Sequence, residues 1–248
     1  YGMNKNQIVV GNGAAELLYA ICRLPGYTGA FVPAPGFSEY KAALEASRIP
    51  VRDIYYRPRE DEHGKPYFEV PYLALETFAA ELKGQDGRII VFLGNPNNPD
   101  GTLLDKNHIR TIASMLKDAN SLLVIDESFI DFVGNDTLQD NEYSMRSLVN
   151  EFDNIIVVHS FTKFYAVPGL RIGAAFSNPL IIEQLNSFIP TWSVNTLAQS
   201  YTEAALNDVE YVKRTKQVLH EEQLFMYNSL DTINGITVYP PSANFILF

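Results

Sequence analysis

A single cysteine, Cys22, stands in 248 residues. A disulfide framework is therefore excluded, and a reducing, cytoplasmic compartment is expected. Cys22 falls inside an apolar helical pattern and reads as a small buried hydrophobe. Basic residues are also short: 19 lysines and arginines against 29 aspartates and glutamates leave a formal net charge of −10. With no local basic stripe, a nucleic-acid partner is not expected. No apolar run approaches the roughly 18 residues of a membrane span. The opening residues lack the pattern of a secretory signal, and there are no repeats or low-complexity tracts.

The rest is the make-up of a globular chain. Hydrophobic residues are 46% and charged residues 19%, enough for one large domain or a domain and a half. Apolar, β-branched runs at 8–10, 30–33, 49–56, 88–93, 121–126, 155–159 and 172–176 read as strands. Helical spacing occupies 14–24, 37–47, 70–82, 105–119, 179–188, 195–206 and 209–230. Pro71 suits a first turn and Asp105 an N-cap. This alternation predicts an α/β fold, a mainly parallel sheet with helices on both faces. The polar stretch 57–67 is expected to be an exposed loop or hairpin, and 134–144 a mobile loop.

The pattern at 209–230 is long enough to bridge two domains, and Val238 with 245–248 reads as the start of a second set of strands. A large domain over 1–215 and the start of a small one over 216–248 are expected. Residues 1–6 look like the tail of a helix and a turn, and 243–248 like the middle of a strand. Both ends are therefore expected to fall inside a larger protein.

Five separated runs fall at ends of predicted strands, where open α/β sheets bind ligands. Gly11-Asn12-Gly13-Ala14-Ala15-Glu16 lets backbone N–H groups at a helix start approach an anion; it lacks the third glycine of a dinucleotide fingerprint, and a plain tight turn is the alternative. Pro35-Gly36-Phe37-Ser38-Glu39-Tyr40 offers an aromatic face to a planar ring, or ordinary core packing. Gly94-Asn95-Pro96-Asn97-Asn98-Pro99-Asp100-Gly101 makes a rigid turn whose side-chain amide can donate to a phenolate-like oxygen. Asp126-Glu127-Ser128-Phe129 puts a carboxylate after a buried strand, where it needs a partner; a protonated pyridine nitrogen would serve, as would a helix cap or ion pair. Last, Lys163 lies three residues after Ser160 and eight before Arg171. That spacing can set an amine, a hydroxyl and a guanidinium around one phosphorylated aldehyde.

In this order and spacing the five runs resemble the fold-type-I enzymes dependent on pyridoxal 5′-phosphate, the aspartate aminotransferase superfamily. The resemblance covers nearly all of the chain. It implies a three-layer large domain around a mainly parallel sheet, followed by a small C-terminal α+β domain. It implies pyridoxal 5′-phosphate as cofactor, no metal, and a homodimer with shared active sites. Lys163 would be the Schiff-base lysine, Asp126 the partner of the pyridine nitrogen, and Asn98 the donor to the ring O3′. Phe37 would stack on the ring. Backbone groups of Gly13, Ala14 and Ala15, with Ser160, Arg171 and in support Thr162, would hold the phosphate. Two positions depart from the family's pattern. Asp100 replaces a common threonine as a turn variation, and Phe129 replaces a tyrosine, leaving Asn98 alone at O3′.

Within the superfamily two members are similar: L-threonine-O-3-phosphate decarboxylase, of cobalamin biosynthesis, and histidinol-phosphate aminotransferase. The run 126–132, Asp-Glu-Ser-Phe-Ile-Asp-Phe, fits both. The lysine segment and Pro190-Thr191-Trp192-Ser193-Val194-Asn195 favour the decarboxylase, although packing alone would also account for Trp192. The implied substrate is a small phosphorylated amino acid or amine. If its carboxylate is held perpendicular to the cofactor ring, CO2 leaves; if its Cα–H bond is, Lys163 removes the proton. A regulatory protein that keeps the fold without catalysis is disfavoured by the joint presence of Lys163, Asp126, Asn98 and Arg171 and by the lack of a basic helix-turn-helix segment.

Overall fold

The structure is a computed structural model that describes residues 1–82, 87–134, 138 and 141–248. A 3-10 turn at Lys5–Gln7 leads into β1 (Ile8–Gly11), α1 (Gly13–Ile21), β2 (Tyr27–Ala34), α2 (Glu39–Ala46) and β3 (Val51–Tyr55). A two-stranded hairpin of β4 (Arg57–Glu60) and β5 (Pro66–Glu69) follows, then α3 (Tyr72–Glu81), β6 (Arg88–Gly94), α4 (Lys106–Asp118) and β7 (Leu122–Asp126). The chain continues through β8 (Ile155–Ser160), α5 (Phe161–Phe164), β9 (Gly173–Phe176), α6 (Pro179–Phe188), α7 (Thr196–Leu206) and α8 (Val209–Asp231).

Seven strands form one sheet in the order β1-β9-β8-β7-β6-β2-β3. The run from β8 to β3 is parallel, and β9 is antiparallel to both of its neighbours. Its reversal has a consequence for the site. The start of β9 lies beside the carboxyl ends of the other strands, in the register Gly11↔Gly173↔Ser160.

Side-chain alternation along each strand feeds two cores. Ile89, Val91, Leu93, Leu123, Ile125, Ile155 and Val157 pack on the face covered by α3 and α4. Ile90, Phe92, Leu122, Val124, Ile156 and Val158 pack on the other face, under α1 and α2. Burial on both faces is why the central strands read as unbroken apolar runs. Each fully buried Leu, Ile or Phe contributes about 1.5–3 kcal/mol relative to exposure.

The helices start where local chemistry allows. Asp105 accepts from the N–H groups of Asn107 and His108 at 2.9 and 3.0 Å, and Ile109, Ile112, Ala113 and Leu116 form the buried stripe of α4. Asn178 caps α6 with Pro179 directly after it.

Two expectations change. Among the described residues no strand forms after β9. Val238 and 245–248 share only the Tyr239 N–H donating to the Leu247 carbonyl at 2.9 Å, and such a pair without further strands is marginal. Lys163 sits on a single helical turn, α5, too short to show periodicity. The start of the chain is a 3-10 turn rather than the tail of a longer helix. Of the expected mobile loop at 134–144, residues 135–137, 139 and 140 lie outside the described residues. Among the described residues no helix is long and apolar enough to cross a membrane.

Candidate active site

The sheet's carboxyl edge gathers the five runs. The loop after β6 is fixed first. Gly94 lacks a Cβ where one would meet the Asn97 Cα at 2.9 Å, so the chain can fold straight back. Asn97 Nδ2 donates to the Pro35 carbonyl at 3.0 Å and to the Asp100 carboxylate, whose other oxygen accepts from Thr102 N–H at 2.8 Å. Asp100 therefore braces the turn, as its place in the run implied. Burial raises its pKa, and the same donors oppose that rise. Asn98 is left facing a small cavity of about 40 Å3 lined by Phe37, Tyr40, Asn98, Asp126, Phe129 and Lys163.

Asp126 ends β7 and is 7% exposed. Its Oδ1 accepts from Ser128 N–H at 2.9 Å and from Ser128 Oγ at 2.6 Å. Its Oδ2 accepts from Tyr40 Oη at 2.9 Å. Glu127, fully buried behind it, accepts from Ser144 Oγ at 2.6 Å, Met145 N–H at 2.5 Å and Asn95 Nδ2 at 3.2 Å. Burial raises the Glu127 pKa, while Arg146 and these donors pull against it. Glu127 thereby ties the end of β7 to the loop after β6 and to the 144–145 backbone.

Lys163 is an exposed residue that lines the cavity, its Nζ 5.5 Å from the Phe129 ring centroid. The turn that carries it is clamped from behind. Tyr211 on α8 donates to the Phe164 carbonyl at 3.0 Å, and Tyr201 on α7 to the Tyr165 carbonyl at 3.2 Å. Phe37 is 37% exposed at the cavity rim and meets Tyr40 edge-on, with centroids 5.7 Å apart.

A second, polar cup adjoins this cavity. Ser160 and Thr162 hydroxyls lie 2.8 Å apart. Gly13 has φ +81°, and a Cβ there would come within 2.3 Å of Arg171 Nη2, so the guanidinium rests directly on the start of α1. Gly173 lets the same helix end approach β9, because a Cβ would meet the Ala14 nitrogen at 2.6 Å. The Asn12 side chain makes no capping bond at the start of α1; the Asn12 backbone N–H donates to Glu16 Oε2 at 2.6 Å, and the first turn holds Gly13, Ala14 and Ala15. Arg171 itself has φ +58° and donates to the Pro168 carbonyl at 3.1 Å. The segment 190–195 closes over this cup: Ser193 Oγ donates to Glu16, and Asn195 Nδ2 to the Leu170 carbonyl at 2.9 Å. Trp192 stands 93% exposed on it at φ +62°.

The structure thus brings Phe37, Asn98, Asp126 and Lys163 together around the cavity, and Gly13, Ala14, Ser160, Thr162 and Arg171 around the cup. Two residues that lie in these runs but had no role assigned to them belong here as well. Tyr40 could have been found one helical turn after Phe37, and Ser128 two residues after Asp126.

Comparison with known proteins follows the same line. The sequence profile of the family described as aminotransferase class I and II matches residues 2–248. The chain is 32% identical over 246 residues to the threonine-phosphate decarboxylase of Salmonella typhimurium, covering 97% of this chain and 61% of that protein. It is also 32% identical over 251 residues to the histidinol-phosphate aminotransferase of Thermoanaerobacter pseudethanolicus, covering 99% of this chain and 64% of that protein. Identity is 34% over 248 residues with the adenosylcobalamin biosynthesis bifunctional protein of Leptospira interrogans, covering all of this chain and 26% of that protein. The chain therefore spans under two thirds of the length of these relatives. Its fold is similar to histidinol-phosphate aminotransferase from Sinorhizobium meliloti in complex with pyridoxal 5′-phosphate, with TM-score 0.77 and 21% identity over 99% of this chain and 62% of that one.

Proposed function

The chain belongs to the aminotransferase class I and II family, and from that premise we propose that the complete protein is a pyridoxal 5′-phosphate-dependent lyase that decarboxylates L-threonine O-3-phosphate to 1-aminopropan-2-ol phosphate. Pyridoxal 5′-phosphate is the cofactor of this family, and the donor set fits it. A phosphate suits the start of α1 beside Arg171, Ser160 and Thr162. An aromatic ring suits the cavity between Phe37 and the Asp126 end of β7.

When bound, the cofactor supplies an aldehyde that captures the substrate amine and a ring that accepts the electron pair of a bond broken at Cα. Lys163 is the amine that holds the cofactor and then moves a proton at the substrate Cα. Asp126, held at both oxygens, would keep a positive charge on the ring nitrogen. Asn98 would donate to the ring oxygen, and Phe129 brings no hydroxyl to share that task. Phe37 would cover the ring and exclude water from it.

Supporting the decarboxylase is the run Pro190–Asn195, tied to the phosphate cup through Glu16 and Leu170. The equal identity to a histidinol-phosphate aminotransferase favours a second reading, an aminotransferase acting on a phosphorylated amine. The full-length protein separates the two. Release of CO2 from L-threonine O-3-phosphate supports the first. Glutamate formed from histidinol phosphate and 2-oxoglutarate, without CO2, would replace it with the second. The whole protein is proposed to be a homodimer.

A further inference from the structure

Resting on the cofactor reading above, we propose that Tyr40 is a positioning residue that sets the Asp126 carboxylate toward its partner in the cavity. Tyr40 is 3% exposed. Its hydroxyl holds Asp126 Oδ2 at 2.9 Å, while Ser128 holds Oδ1 with two donors. With both oxygens engaged, the carboxylate cannot swing about its last bond.

The same ring has two further contacts. It stacks on Phe92 of β6, with centroids 5.2 Å apart and planes 16° from parallel, and it meets Phe37 edge-on. Tyr40 therefore joins three things: the packed sheet, the aromatic at the cavity rim, and the acid. Its phenol stays protonated, because burial and then the neighbouring Asp126 charge push its pKa well above 10. The hydroxyl is thus the donor in this pair and the carboxylate the acceptor. A core tyrosine that only filled space would need no such alignment with a charged group 86 residues away.

Tyr40→Phe removes the donor and keeps the ring. The test titrates pyridoxal 5′-phosphate into the full-length protein, with Tyr40→Phe and Asp126→Asn made singly and together, and follows the absorption bands of the bound cofactor. Tyr40→Phe is expected to weaken binding about tenfold, the scale of one hydrogen bond to a charge, and to change the ratio of the bands. In the Asp126→Asn background the same change is expected to cost less than about twofold, since the charge it serves is gone. Tyr40→Met, which also removes the donor and keeps an apolar side chain, stands in for the comparison if the phenylalanine variant fails to fold. Equal losses in both backgrounds, or no loss in the first, would overturn the role of Tyr40 alone. A wild-type protein that binds no pyridoxal 5′-phosphate would overturn the proposed function with it.

Discussion

Asp126 and Arg171 show how one side chain acquires a task from what its neighbours leave open. Asp126 is nearly buried, and among the described residues its oxygens accept from Tyr40 and Ser128, both uncharged. A buried carboxylate without a cation is costly, and a protonated ring nitrogen is the cation the cavity can take. Asp126→Ala should therefore keep part of the cofactor affinity and lose most of the turnover; near-normal rates by steady-state assay would contradict the role. Arg171 lies on the start of α1, where an anion is already favoured by the helix end. Arg171→Ala should weaken cofactor binding by about 10- to 100-fold, the range for hydrogen bonds to charge, measured by absorbance titration. The carboxylate, amine and guanidinium were each legible in the sequence because they lie near the ends of readable strands. The roles of Tyr40 and Ser128 were not, because they come from contacts made only after folding. Tyr40 reaches Asp126 across 86 residues, and its place one turn after Phe37 does not by itself mark that contact.

At the scale of elements, the cup depends on how closely α1 approaches β9. Gly173 pairs with Gly11 on one side and Ser160 on the other, and a Cβ on it would press against the Ala14 nitrogen and the His159 carbonyl at 2.6 and 2.8 Å. These are backbone atoms and cannot turn aside. Gly173→Ala should therefore push α1 outward, costing about 1–3 kcal/mol of stability and loosening the cofactor, as read by thermal melting and titration. If melting and affinity were both unchanged, the close approach would not matter. The central strands were legible for a plain reason: helices on both faces make β6, β7 and β8 continuous apolar runs. The cap at Asp105 was legible as local chemistry. The lysine turn was not, since α5 is four residues long and is held by Tyr201 and Tyr211 from helices far along the chain. At Val238 and 245–248 the apolar pattern was real, but a strand also needs a ladder, and one backbone bond does not make one.

On the scale of the whole molecule, a buried polar cluster ties the start of the chain to the sheet beneath the cup. Tyr1 Oη donates to Asp131 at 2.7 Å, and His159 Nε2 lies 3.0 Å from the same carboxylate. Burial alone would raise the Asp131 pKa, but His159, Tyr1 and Arg146 outweigh it and hold it below the usual value. A depressed carboxylate contributes stability above its unfolded pKa of about 3.9 and loses it as pH falls through the folded value. Asp131→Asn should thus cost about 3–5 kcal/mol near neutral pH, as when one partner of a buried pair is removed. The gap from wild type should close below about pH 4, followed by denaturant unfolding across pH. A constant gap would place the cost in packing instead.

The same global arrangement carries the central claim, that five distant stretches meet at one sheet edge to hold pyridoxal 5′-phosphate on Lys163. The direct measurement is borohydride reduction of the full-length, cofactor-loaded protein followed by peptide mapping. The account predicts the pyridoxyl group on Lys163; label on any other lysine, or none, would contradict it.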